Sequence, residues 1–165
     1  MSVRLEDVST ETLAAQDAIF ADALSLGRAG GDVADREQAF ERLLPVLQIF
    51  APSRDGAPYL HCGHASTTGE LFGRDFALDL VGRPGLAHEE FERAVQGAYK
   101  SVHLSGKPVS QRVSAVIEVH GVRRLVSYYR LVFPINFGSN RVAGCLTRFS
   151  DASRATSLRT LSREQ

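Results

Sequence analysis

Residues 108–151 read as three consecutive antiparallel strands, and no other stretch of the chain restricts the fold as strongly. Over 109–120 the odd positions are Val109, Gln111, Val113, Ala115, Ile117 and Val119, and the even ones are Ser110, Arg112, Ser114, Val116, Glu118 and His120. Strand side chains alternate between faces, so the odd face is the apolar one. His120-Gly121 then supplies a two-residue reversal of hairpin type. A second strand is expected over 122–135, with Leu125, Tyr129, Leu131, Phe133 and Ile135 on one face. Pro134 lacks an N–H for a ladder and is expected at a strand end or an edge. Asn136-Phe137-Gly138-Ser139-Asn140 has loop composition, and a third strand follows over 141–150.

Upstream, residues 1–8 read as a loose lead. Ser9 or Thr10 caps a helix with Glu11 in its first turn. Leu13, Phe20 and Leu24 mark one of its faces, and Ile19, Ala23 and Leu26 a second. A helix apolar on two sides suits two partners, here the sheet and another subunit. Asp35-x-x-Gln38 resembles a capping box for a second helix, which Pro45 should end. Strands over 46–51 and 57–63 form a hairpin around Ser53-Arg54-Asp55-Gly56. Ser66 opens a short helical turn, and the glycine-rich stretch 73–85 is expected to hold one more turn at most. A longer helix over 86–105 carries Phe91, Val95, Ala98 and Val102 as its stripe and stops at Gly106.

The order is a hairpin, short helical turns, one longer helix and a three-stranded meander. That order resembles the PAS family of small sensory modules over residues 45–153. Glu70-Leu71-Phe72-Gly73-Arg74-Asp75-Phe76 looks like the FGRD segment of a bacterial subgroup of mostly single-domain PAS proteins. Leu44-Pro45 and Phe133-Pro134-Ile135 fit the same subgroup, and Asp151-Ala152-Ser153 stands where many members carry Asp-x-Thr. The resemblance implies an α+β fold, with a five-stranded antiparallel sheet, helices on one face and a ligand pocket between them. Residues 1–44 would be an N-terminal helical cap that covers the sheet's other face and pairs subunits into a homodimer, and 154–165 a flexible tail.

The 165 residues suit a single domain, and no apolar run is long enough for a membrane span. A cytoplasmic protein is expected. Residues 1–50 carry four Arg against nine Asp or Glu, so the zero net charge hides an acidic N-terminal part. Residues 106–165 carry ten Lys or Arg against three Asp or Glu, but without a dense basic run nucleic acid is not expected as a partner. Arg112, Arg123, Arg124, Arg130, Arg141 and Arg148 are spread along the strands, mostly at positions read as facing solvent.

Candidate chemistry is sparse. His61-Cys62-Gly63-His64 is a poor zinc site, because His61 and His64 face opposite ways on a strand and only Cys145 adds a thiol. The resemblance directs attention to haem, which family members usually bind through a histidine on the long helix. His88 lies about 50° from the apolar stripe and His103 about 110°, so His88 is the candidate axial ligand. The reactive cysteine motif of flavin photoreceptors is absent. No phosphate loop, His-Glu-x-x-His or nucleophile elbow occurs. Asp75 and Asp79 read as turn formers, and Arg112, Tyr128, Tyr129 and Arg130 as cross-strand pairs before they read as pocket groups.

The expected function is therefore a non-catalytic sensory or interaction module that binds a small ligand and signals through a separate partner protein. Its pocket should lie between Phe91, Val95, Tyr99 and Val102 on the helix and Val113, Ile117, Tyr129, Leu131 and Leu146 on the sheet. The alternatives are a haem sensor and a cystatin-like α+β enzyme or carrier, in which long helices precede most of the sheet.

Overall fold

The computed structural model describes residues 3–28, 32–52, 57–85 and 89–150. The chain opens on strand β1 (Val3–Asp7), then helices α1 (Thr10–Gln16) and α2 (Ala18–Arg28). A 3₁₀ turn (Val33–Arg36) leads into α3 (Glu37–Leu43), β2 (Leu47–Phe50) and β3 (Tyr59–Cys62). Two short helices follow, α4 (Thr67–Phe72) and α5 (Arg74–Asp79), and then the long α6 (Glu89–Ser105). The meander is β4 (Val109–Val119), β5 (Val122–Phe137) and β6 (Asn140–Phe149). The six strands among the described residues form one antiparallel sheet in the order β1-β4-β5-β6-β2-β3. No helix among the described residues is long and apolar enough to cross a membrane.

The fold is α+β as expected, but the sheet has six strands, not five. The stretch read as a loose lead is β1, which pairs Val3 with Ala115 and Leu5 with Val113. Two alternating apolar residues are too weak a signal to announce it. Helices cover both faces, the N-terminal ones lying opposite α6 as the resemblance implies, so two cores lie back to back. The helices α1 to α3 pack on Leu47, Ile49, Leu131, Phe133, Ile135 and Leu146. The other face, under α4 to α6, carries Val113, Ile117, Val126, Tyr128, Val132 and Cys145.

A single turn sets which residues lie on which face. His120 and Gly121 both take positive φ, 52° and 78°, as the two central residues of a type I′ hairpin turn must. Val119 is thereby opposite Val122, and odd positions of β4 stand opposite even positions of β5. Pro134 meets its expectation in an unexpected way. It lies inside β5, but β4 pairs no further than Val109 with Val132, so the ladder on that side has already ended.

The first predicted helix is broken in two at Asp17. Its N–H closes α1 on the Leu13 carbonyl at 3.2 Å, and its carboxylate accepts from the Ile19 N–H at 3.0 Å. The other carboxylate oxygen accepts from Arg148 Nε at 3.3 Å. The break lets both apolar stripes turn inward: Leu13, Phe20, Ala23, Leu24 and Leu26 are all buried within one chain. Two stripes therefore do not require two partners here. The expected capping box is also displaced, since Asp32 caps the 3₁₀ turn at Ala34 N and holds Gly138 N at 2.6 Å.

The His61-Cys62-Gly63-His64 segment is a packing corner. Its Gly63 N–H donates to the Leu47 carbonyl at 2.8 Å, and a Cβ there would collide with the carbonyl oxygens of Pro45 and Leu44. Gly63→Ala should cost about 1–3 kcal/mol through that collision. Urea denaturation checks this, and an unchanged midpoint would contradict it.

Candidate functional site

Helix α6 buries Phe91, Val95, Ala98, Tyr99 and Val102 against the sheet, at the spacing of a single helical stripe. Three glutamates, Glu89, Glu90 and Glu92, occupy its first turn, where the helix dipole favours them. Helix α4 docks beside it through polar contacts. Its N-cap Ser66 accepts from Gly69 N at 3.2 Å, Thr67 Oγ1 donates to Thr147 Oγ1 at 2.8 Å, and Gln48 Nε2 donates to Thr68 Oγ1 at 2.8 Å. Gln48, Thr67, Thr68 and Thr147 are all buried, so these contacts place a polar shelf inside the core.

The largest fully buried side chain among the described residues is Arg130, only 1% exposed. The register carries it inward: Thr147, Arg130, Gln111 and Asp7 stand side by side across β6, β5, β4 and β1. Arg130 Nε donates to Gln111 Oε1 at 3.1 Å, one Nη donates to the same oxygen, and the other Nη donates to the Val95 carbonyl at 3.0 Å. Gln111 Nε2 passes the chain on to the Asp7 carboxylate at 3.0 Å. The guanidinium carbon stands 5.7 Å from the centre of the Tyr99 ring. That ring stacks on Phe50 at 4.0 Å, and Phe50 in turn meets Tyr59 at 4.4 Å. All direct partners of Arg130 are neutral, and none of the ion pairs among the described residues includes it.

Two cavities flank this aromatic stack. The inner one offers about 30 Å³ to the centres of water molecules and is lined by polar Arg130, Gln48, Thr147, Tyr128, Tyr59 and Glu92, together with apolar residues of α4 and α6. The outer cleft, about 140 Å³, opens beside α6 at Gln96, Lys100 and His103. Tyr99 is the one residue that lines both.

Burial sets the protonation of the groups around the cavity. It pushes the thiols of Cys145 and Cys62 up to about 11, against an ordinary value of 9.0; Arg130 and a Tyr99 hydrogen bond partly oppose this at Cys145, and Ser66 does so at Cys62. The same desolvation raises the hydroxyls of Tyr59, Tyr99 and Tyr128. The cavity wall thus carries protonated hydroxyl groups, one cation and the Glu92 carboxylate, with the inert thiols in the core around it.

The expected pocket residues separate into two groups. Phe91, Val95, Tyr99 and Ile117 line the inner cavity, while Val102 and Val113 are buried in the same core without lining it. Leu131 and Leu146 belong to the opposite core, and half-buried Tyr129 packs against it. These three are corrected: β5 contributes Tyr128, Arg130 and Val132 to the α6 side, and β6 contributes Cys145 and Thr147. The two-residue turn itself carries the signal, since Val119 opposite Val122 puts Val113 beside Tyr128 and not Tyr129. Arg130, read first as a cross-strand residue facing solvent and only second as a pocket group, is the largest departure from expectation.

His88 lies outside the described residues, as do Ser53-Arg54-Asp55-Gly56, Asp151-Ala152-Ser153 and residues 154–165. His103 is half-buried and its Nδ1 is 3.1 Å from the Arg141 carbonyl. In the histidine-cysteine segment, His61 Nε2 donates to the Leu44 carbonyl at 2.8 Å, Cys62 is buried and His64 is exposed. Among the described residues, no group of three His, Cys, Asp or Glu could hold a metal ion. No family model matches the chain, and neither a curated protein nor a solved structure matches it.

The raised thiols give an alkaline signature. Unfolded thiols ionise near 9.0 while the folded ones stay protonated to about 11, so the unfolded state binds fewer protons in that window and stability falls as pH rises through it. Equilibrium unfolding from about pH 8 to 11 should show this fall, and the native protein should resist thiol reagents at about pH 8. Labelling at the rate of a free thiol would contradict the burial.

Proposed function

We propose that the chain is a PAS-like sensory module, without catalysis of its own, that binds a small ligand in the inner cavity beneath α6. The single observation that carries this is a cavity with a buried guanidinium and several hydroxyls in its partly apolar wall, inside an otherwise apolar core. The element order supports the same reading: hairpin β2–β3, short α4 and α5, long α6, then the meander β4–β6. Binding is favoured over catalysis because the shifted cysteines and tyrosines are held in their protonated, unreactive forms. A small ligand is favoured over haem because about 30 Å³ does not admit a porphyrin.

Occupancy would act by shifting a population of packing states. The route from the cavity to the N-terminal part is short, since Gln111 bridges Arg130 to Asp7 on edge strand β1. A ligand that competes with Gln111 for Arg130 loosens or tightens that edge. In this proposal a homodimer forms through the N-terminal helices and a separate protein reads the signal. With their large apolar residues buried inside the chain, those helices would pair through polar outer positions such as Ser25, Arg28 and Arg36.

The test is a fragment titration followed by amide NMR, with the mass in solution measured alongside. Probes should shift residues around Thr67, Ile117, Tyr128 and Thr147, Ile117→Phe should weaken the response by filling the cavity, and the mass should be that of a dimer. Shifts confined to other surfaces, as a cystatin-like carrier with a different cavity would give, contradict the ligand site. A monomer at every concentration, with and without the fragments, removes the dimer.

A further inference from the structure

We infer that the ligand is a small, planar, singly charged oxyanion, a carboxylate or an inorganic counterpart such as nitrate or bicarbonate, gripped by the Arg130 guanidinium. This rests on the reading of the inner cavity as a ligand site and names the ligand's chemistry.

Charge sets the first constraint. A buried cation is costly unless an anion or a full set of hydrogen bonds compensates it. Gln111 and the Val95 carbonyl occupy three of the five guanidinium donors, and both are neutral. Of the carboxylates nearby, Asp7 is one side chain removed behind Gln111, and Glu92 lines the same cavity as Arg130. One hydrogen on each Nη therefore remains for a partner in the cavity that Arg130 lines. A planar oxyanion is the partner that a guanidinium fork fits best, and the charge-assisted bonds it forms are roughly twice as strong as neutral ones.

Hydroxyls complete the grip. Thr147 Oγ1 accepts from both the N–H and the hydroxyl of Thr67, which leaves its own hydrogen to donate. Tyr128 keeps its proton through burial and lines the same space. The carboxylate of Glu92 also lines the cavity, so the wall carries one positive and one negative group, and a dianion such as sulfate is disfavoured.

Size narrows the choice further. At about 10–15 Å³ per water, the cavity of about 30 Å³ holds two or three waters. That is the room of an anion with three or four heavy atoms: formate, acetate, nitrate or bicarbonate.

The experiment is a series of thermal melts of the intact protein with sodium formate, acetate, nitrate, bicarbonate, chloride or sulfate at matched ionic strength. Acetamide serves as the neutral isostere of acetate. The planar monoanions should raise the melting temperature in a saturable, Arg130-dependent way, whereas chloride should not and sulfate should give only the non-saturating, Arg130-independent rise of an excluded salt. Stronger effects of formate and acetate would assign an organic acid, and stronger effects of nitrate and bicarbonate an inorganic one. Arg130→Met should abolish the response, and Arg130→Lys, which keeps the charge but not the fork, should weaken apparent affinity by about tenfold or more. If Arg130→Met fails to fold, Thr147→Val and a wild-type titration that follows the Arg130 Nε–H by NMR decide the same question. An equal response to all salts, or one unchanged by substitution at Arg130, overturns the inference. If acetamide shifts the cavity residues and acetate does not, the ligand site stands and its anionic character falls; if no probe reaches the cavity, both fall.

Discussion

One pairing, Val119 opposite Val122 across the turn at His120-Gly121, decides the face of every side chain in the meander. A slip of one residue would exchange the two faces of β5. Tyr128, Arg130 and Val132 would then move under α1 to α3, and Leu131 and Phe133 would move under α6. The two positive φ angles that the turn demands exclude that slip, because the type I′ geometry matches the twist of the strands. Register in this protein is thus written by two residues and expressed along the whole meander.

The price of that register is a buried guanidinium. The protein meets it in layers: the amide of Gln111 behind, the Val95 carbonyl from α6 above, and the Tyr99 ring at 5.7 Å. The Tyr99 ring is held in turn by its stack on Phe50. An apolar residue of similar volume at the same position would often be as stable or more so. The presence of a cation, at the wall of a cavity lined with hydroxyls, is better explained by recognition than by stability.

Much of this is legible in the sequence. The alternation over Val109–Val119, the helical stripe from Phe91 to Val102 and the glycine stop at Gly106 each become the element expected. The failures have physical causes. Strand β5 is buried on both faces, with Leu131, Val132 and Phe133 all inaccessible, so hydrophobicity does not say which face meets α6. Only the turn says so. Arginine is so seldom fully buried that Arg130 reads as a cross-strand surface charge before it reads as a pocket group. Asp17 looks like an ordinary helix residue because the contacts that make it a break, to Ile19 and to Arg148, depend on tertiary structure. His61-Cys62-Gly63-His64 stands out as a possible metal site for its residue types, whereas its role in the fold comes from the missing side chain of Gly63.

The most direct measurement is the electron density beside Arg130 in crystals of the protein as purified from cells. A flat, branched feature is expected in the cavity, about 2.7–2.9 Å from the two Nη atoms, as charge-assisted bonds require. A guanidinium paired instead with a carboxylate of its own chain, beside a dry cavity, would contradict anion recognition at this site.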